Sequence, residues 1–136
     1  MQESLAERIK RHEGLRLKPY KCSAGHLTIG YGHNLEEGIS KWIAEEILRE
    51  DINKAYRDYW LFIPQSVQMK LNKKREEVLV EMIFNMGINK VLGFKKMLKA
   101  LAEGNFNKAA DEMLDSKWAR QVGKRAEELA RIMREG

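Results

Sequence analysis

The sequence predicts an α+β protein that is mostly helical, with one small β element close to its start. Two observations carry this prediction. Past Gly38 apolar residues recur at helical spacing to the end of the chain, whereas residues 15–32 hold Gly25, Gly30 and Gly32 and alternate apolar with polar. A third bounds it: 136 residues, 43% hydrophobic and 33% charged, suit one ordered domain with room for two lobes. No linker, low-complexity tract or internal repeat divides the chain.

Taken in order, Leu5, Ala6 and Ile9 mark an amphipathic helix over residues 3–12, ended near Gly14. Tyr20, Leu27, Ile29 and Tyr31 then form the arms of a hairpin or small meander around a Ser23-Ala24-Gly25 turn. Pro19 fits there only at an edge or a strand start. Ser40 is a suitable N-cap, with Ile39 placed to staple the entry. Ile43, Ile47, Ala55, Tyr56 and Tyr59 line one face of a long helix that stops before Pro64, and a second helix starts after Ser66. Residues 75–86 are apolar nearly all round, the mark of a buried central helix, with Gly87 as its C′ residue. Helices over 92–102, 105–114 and 123–134 complete the outline.

Composition excludes several classes. Cys22 is the single cysteine, so no intramolecular disulfide and no Cys2His2 zinc site can form. His12, His26 and His33 lack zinc-ligand spacing, and neither metal nor cofactor is expected. No apolar stretch is long enough to span a bilayer, and the charged N-terminus lacks a signal-peptide core. The net charge of +5 favours polyanions without choosing among nucleic acid, anionic membrane and wall polymer. Interspersed Lys and Glu read mostly as a solvated helical surface.

Three residues carry candidate chemistry. Glu13 follows Ile9 by four, continuing an apolar helical face at a C-terminal helix end. Burial and the helix dipole would both favour its protonated form, which suits a proton donor, although a Glu that turns into solvent or pairs with an Arg is the commoner case. Cys22 lies beside Lys21, whose charge would favour a thiolate, but a lone Cys is more often a small buried hydrophobe. Thr28 is what strand propensity alone would place on the second arm.

Spacing changes the weight of these residues. Glu13, eight residues, Cys22, five residues and Thr28 sit within Glu-Gly-Leu-Arg-Leu-Lys (13–18) and Thr-Ile-Gly-Tyr-Gly-His (28–33). This text resembles the phage-type lysozymes of glycoside hydrolase family 24, whose pattern is Glu, eight residues, Asp or Cys, five residues, Thr. Met82-Ile83-Phe84-Asn85-Met86-Gly87 with Gly93-Phe94, and Ser116-Lys117-Trp118 with Gln121 and Arg125, extend the likeness over essentially the whole chain, shortened around residues 60–75.

The resemblance implies a single two-lobed lysozyme-like domain over residues 1–136. Residues 13–60 would form the β-containing lobe and linking helix, and 1–12 with 61–136 the helical lobe. It implies hydrolysis of the β-1,4 bond between N-acetylmuramic acid and N-acetylglucosamine, with inversion. Glu13 would be the general acid; Cys22, where many relatives have Asp, would orient or activate water, and Thr28 would hold that water or stabilise the sugar transition state with its hydroxyl. Arg125 would pair with the catalytic Glu, opposing a raised pKa, with His33 as a further supporting residue. Phe84 would line the cleft; Asn34, Met97 and Glu112 fall at the remaining substrate positions but differ in type from the family's residues. Glu81, inside the apolar helix, calls for a basic partner.

Implied partners are peptidoglycan glycan strands, with a holin for release after synthesis in the host cytoplasm. The chain is expected to be a monomer with no stable membrane association and no nucleic-acid partner. Two other readings compete: a glycan-binding or virion-tail module of the same fold, against which the intact Glu, Cys and Thr argue, and a basic nucleic-acid binder. The latter lacks a helix-turn-helix and lacks aromatics interleaved with a basic stripe.

Overall fold

The computed structural model describes residues 2–136, which separate into two compact units, Met1–Glu46 and Ile47–Gly136. The boundary falls inside a long helix; the expected lobes divide the chain elsewhere.

In the first unit, helix α1 (Leu5–Glu13) starts at Ser4, whose side chain accepts from the Glu7 N–H while Glu7 accepts from the Ser4 N–H, a capping box. Gly14 ends it at φ 74°, returning its N–H to the Lys10 carbonyl. Three strands follow: β1 (Arg16–Lys21), β2 (Leu27–Gly30) and β3 (His33–Asn34), antiparallel in that order. Pro19 lies on edge strand β1, within an irregularity between Arg16 and Tyr20, where its missing N–H leaves no gap in a regular ladder. Tyr20 faces Thr28, which in turn faces Asn34. A 3-10 turn, Leu35–Glu37, leads to the next helix; the sequence reading did not foresee it.

Thr28 is the one buried residue among those described in this unit. Leu5 and Ile9 are 62% and 44% exposed, so the apolar face expected of α1 is not buried. Ladder bonds, turns and caps hold the unit, as suits a segment too short to enclose a core.

Helix α2 (Lys41–Phe62) begins as expected at Ser40, whose hydroxyl accepts from the Ile43 N–H, and ends before Pro64. The second unit then adds α3 (Gln65–Gln68), α4 (Lys73–Met86), α5 (Ile88–Leu92), α6 (Lys95–Ala102), α7 (Phe106–Leu114), α8 (Lys117–Val122) and α9 (Lys124–Glu135). α3 starts one residue before Ser66 rather than after it, with Pro64 setting its entry. The short helices α5 and α8 were not foreseen; Gly87, Gly93 and Gly123 delimit them.

The apolar core lies entirely in this unit. Val78, Leu79, Val80, Met82 and Ile83 of α4 are buried, as the all-round apolar pattern predicts, with Tyr59, Val67, Met97, Leu101, Met113 and Met133 enclosed around them. Arg75 joins distant parts of the unit: its guanidinium donates to the carbonyls of Met133 and Arg134, capping α9, and stacks on Phe106.

Candidate active site

The sequence-predicted hydroxyl lies on the small sheet, the thiol in the loop between its first two strands and the acid at the end of α1. Glu13 is the last residue of α1 and is exposed, so the burial expected around it is absent. Its carboxylate instead leans over Gly32, between β2 and β3. A Cβ built on Gly32 would stand 2.7 Å from Glu13 Oε2 and 2.9 Å from Cδ. Gly32 also has φ of 81°, a conformation that side chains other than glycine's resist. The φ favours glycine there and any side chain would push the carboxylate aside, a role the sequence reading did not assign to the Gly-x-Gly text.

Cys22 is half-buried in the loop that joins β1 to β2. Its thiol is held below the ordinary range, first by the backbone amide of His26, then by that of Ala24, against the opposing effect of burial. The direction matches the sequence expectation, but the cause is local backbone dipoles rather than Lys21. Thr28 is 3% exposed and donates its hydroxyl proton to the His26 carbonyl at 2.8 Å. That carbonyl also accepts the Cys22 N–H at 2.9 Å, so one peptide group anchors both residues.

The flanking side chains stiffen this sheet. His33 donates from Nε2 to the Gly38 carbonyl, and the His26 ring pairs through Nδ1 with Glu36, each at 2.9 Å. Asn34, expected to touch substrate, uses its side-chain oxygen to accept the Glu36 N–H and cap the 3-10 turn. Its amide NH2 is still available to a ligand.

In the second unit, Phe84 is 40% exposed and lines an apolar pocket of about 300 Å³ with Ile52, Tyr56, Glu81 and Arg125. It departs from the buried pattern of α4 because it and Glu81, three residues apart, share that helix's open side. Arg125 supplies the basic partner that Glu81 called for, donating from Nε at 2.8 Å. Met97 and Glu112 line a second pocket, of about 360 Å³. Met97 is 0% exposed, enclosed in the core beneath that pocket. Glu112 is half-buried at that pocket's wall. Trp118 Nε1 donates to Asn85 Oδ1 at 2.7 Å, fixing α8 against α4 within the same unit.

A small three-stranded antiparallel sheet in a chain otherwise helical is the makeup of a lysozyme-like α+β fold. The model of the family described as phage lysozyme matches residues 10–135, and the chain belongs to that family. The endolysin of Acyrthosiphon pisum secondary endosymbiont phage 1 is 34% identical over 86% of this chain and 80% of its own length. The endolysin of Salmonella phage P22 is also 34% identical, over 79% and 76%. The pre-baseplate central spike protein of Enterobacteria phage T4 is 30% identical over 98% of this chain, but over 28% of its own length. This protein is a lysozyme that hydrolyses peptidoglycan.

Proposed function

We propose that this lysozyme cuts the β-1,4 bond between N-acetylmuramic acid and N-acetylglucosamine, with Glu13 as general acid, Cys22 as base and Thr28 as the holder of the attacking water. Protonated Glu13 gives its proton to the glycosidic oxygen as the bond to the anomeric carbon breaks. The Cys22 thiolate takes a proton from water, whose oxygen attacks that carbon from the opposite face. Thr28 commits its own proton to the His26 carbonyl, which leaves its oxygen lone pairs to accept from the water. Configuration at the anomeric carbon inverts, and proton exchange with solvent restores both groups.

The observation that supports this reading best is the seat of the Glu13 carboxylate over Gly32, on the sheet whose loop depresses the Cys22 thiol. Phe84, Asn34 and Glu112 are the proposed glycan contacts, with Met97 at the wall of the Glu112 pocket; Arg125, as the partner of the catalytic Glu, and His33 are the proposed supporting residues. The protein acts as a monomer made in the host cytoplasm and reaches the wall through a lesion opened by a holin, with no part for nucleic acid. No helix among the described residues is long and apolar enough to cross a membrane. Chloroform-treated Gram-negative cells should clear with the purified chain, and the products should carry N-acetylmuramic acid reducing ends, α-configured when sampled by NMR before mutarotation. N-acetylglucosamine reducing ends would contradict the bond assignment, and β-configured products would contradict inversion.

A second reading, a wall-cutting module of a virion tail, is favoured by the match to part of the T4 spike protein. Finding the chain in purified particles rather than in the lysate would select it.

A further inference from the structure

We propose that the corner between α2 and α3 is a docking surface for an anionic lipid bilayer, engaged reversibly through Trp60, Leu61, Phe62 and Met69. These four side chains are 59%, 73%, 52% and 73% exposed. The corner beneath them is rigid, because Tyr59, Ile63 and Val67 are at most 3% exposed and Gln68 Nε2 donates to the Ile63 carbonyl at 2.8 Å and the Tyr59 carbonyl at 3.2 Å. A fixed corner that leaves four large apolar side chains in water is an interaction surface rather than a fraying end.

Charge identifies the partner. Residues 57–74 carry Arg57, Lys70, Lys73 and Lys74 against one acid, Asp58, before Glu76 and Glu77 follow. Arg57, Lys70 and Lys74 make no ion pair among the described residues; Lys73 pairs with Glu76 and stands over the Tyr56 ring, against which Trp60 rests with ring centroids 5.3 Å apart. Aromatic and aliphatic tips beside lysines match the layered chemistry of a membrane surface, with acyl boundary under anionic headgroups. A nucleic acid or an anionic wall polymer would answer the lysines but leave Leu61, Phe62 and Met69 without partners. A symmetric contact between two copies would set the same cationic patch against itself. Side chains at headgroup depth give a weak, peripheral attachment, compatible with the absence of stable membrane association expected from the sequence.

The test is co-sedimentation of the intact chain with vesicles of phosphatidylcholine alone and of phosphatidylcholine mixed equally with phosphatidylglycerol. Binding is expected on the anionic vesicles, at least about tenfold stronger than on neutral ones and weakened by salt. Lys70→Gln with Lys74→Gln, and separately Leu61→Ser with Met69→Ser, should each weaken it about tenfold or more, with melting curves and wall clearing unchanged. Brominated lipid should quench tryptophan emission in the parent and much less in Trp60→Phe. Equal binding to both vesicle types, or serine variants that bind like the parent, overturns the proposal. Self-association that disappears in Leu61→Ser with Met69→Ser, without vesicle binding, overturns it in favour of a second copy. The vesicle readout needs no lysis, so its failure and a failure of the proposed chemistry are separable.

Discussion

Gly32 is where a single hydrogen atom decides the position of the proposed acid. A methyl group there would meet the free end of the Glu13 side chain, the part that moves most cheaply. Gly32→Ala is therefore expected to displace the carboxylate more than to unfold the sheet. The strained φ should cost about 1–2 kcal/mol in melting experiments, while kcat for wall hydrolysis falls about 100-fold with KM nearly unchanged. The thiol makes a prediction in pH. Activity that needs the Cys22 thiolate rises as pH climbs through the Cys22 pKa, which the His26 and Ala24 amides hold below the ordinary value. Cys22→Asp should move the rising limb several pH units lower, toward the carboxylate range of about 4, in a pH–rate profile. Of this site, the sequence made the acid, thiol and hydroxyl legible because their spacing is local. Exposure of Glu13 and enclosure of Met97 were not legible, since burial depends on chain far away in sequence.

At the scale of elements, legibility follows the same division. Ser40 and Gly87 end their helices as read, because caps act within one turn. The Ser4-x-x-Glu7 box carried the same kind of signal and moves the start of α1 to Leu5. Ser4→Ala should lower stability by about 1 kcal/mol, seen by circular dichroism as earlier melting of the first unit. The need of Glu81 for a base was readable from its place in an apolar helix, but the pairing to Arg125 joins α4 to α9 and no local pattern encodes it. α5 and α8 are too short to show a helical period at all.

The whole molecule divides its labour unevenly. The first unit bears the proposed catalytic groups with one buried residue, Thr28, whereas the second encloses the core. Tyr59 reports on that core: burial, then the negative charge of Glu76, pushes its phenol from the usual 10 to about 12. A group whose pKa rises on folding stabilises the fold fully below its unfolded value and loses that contribution as pH climbs to the folded one. Stability should accordingly decline between pH 10 and about 12, and absorbance titration should show Tyr59 ionising late among the four tyrosines. Loss of the late phase in Tyr59→Phe would assign it.

The central claim is that Glu13 donates the proton that releases the leaving sugar. It is tested most directly by the rate of clearing of chloroform-treated cells with Glu13→Gln, which keeps the shape of the side chain and removes its acid. A fall of at least about 100- to 10,000-fold with an unchanged melting curve is expected. Clearing at the parent rate by folded Glu13→Gln would contradict it.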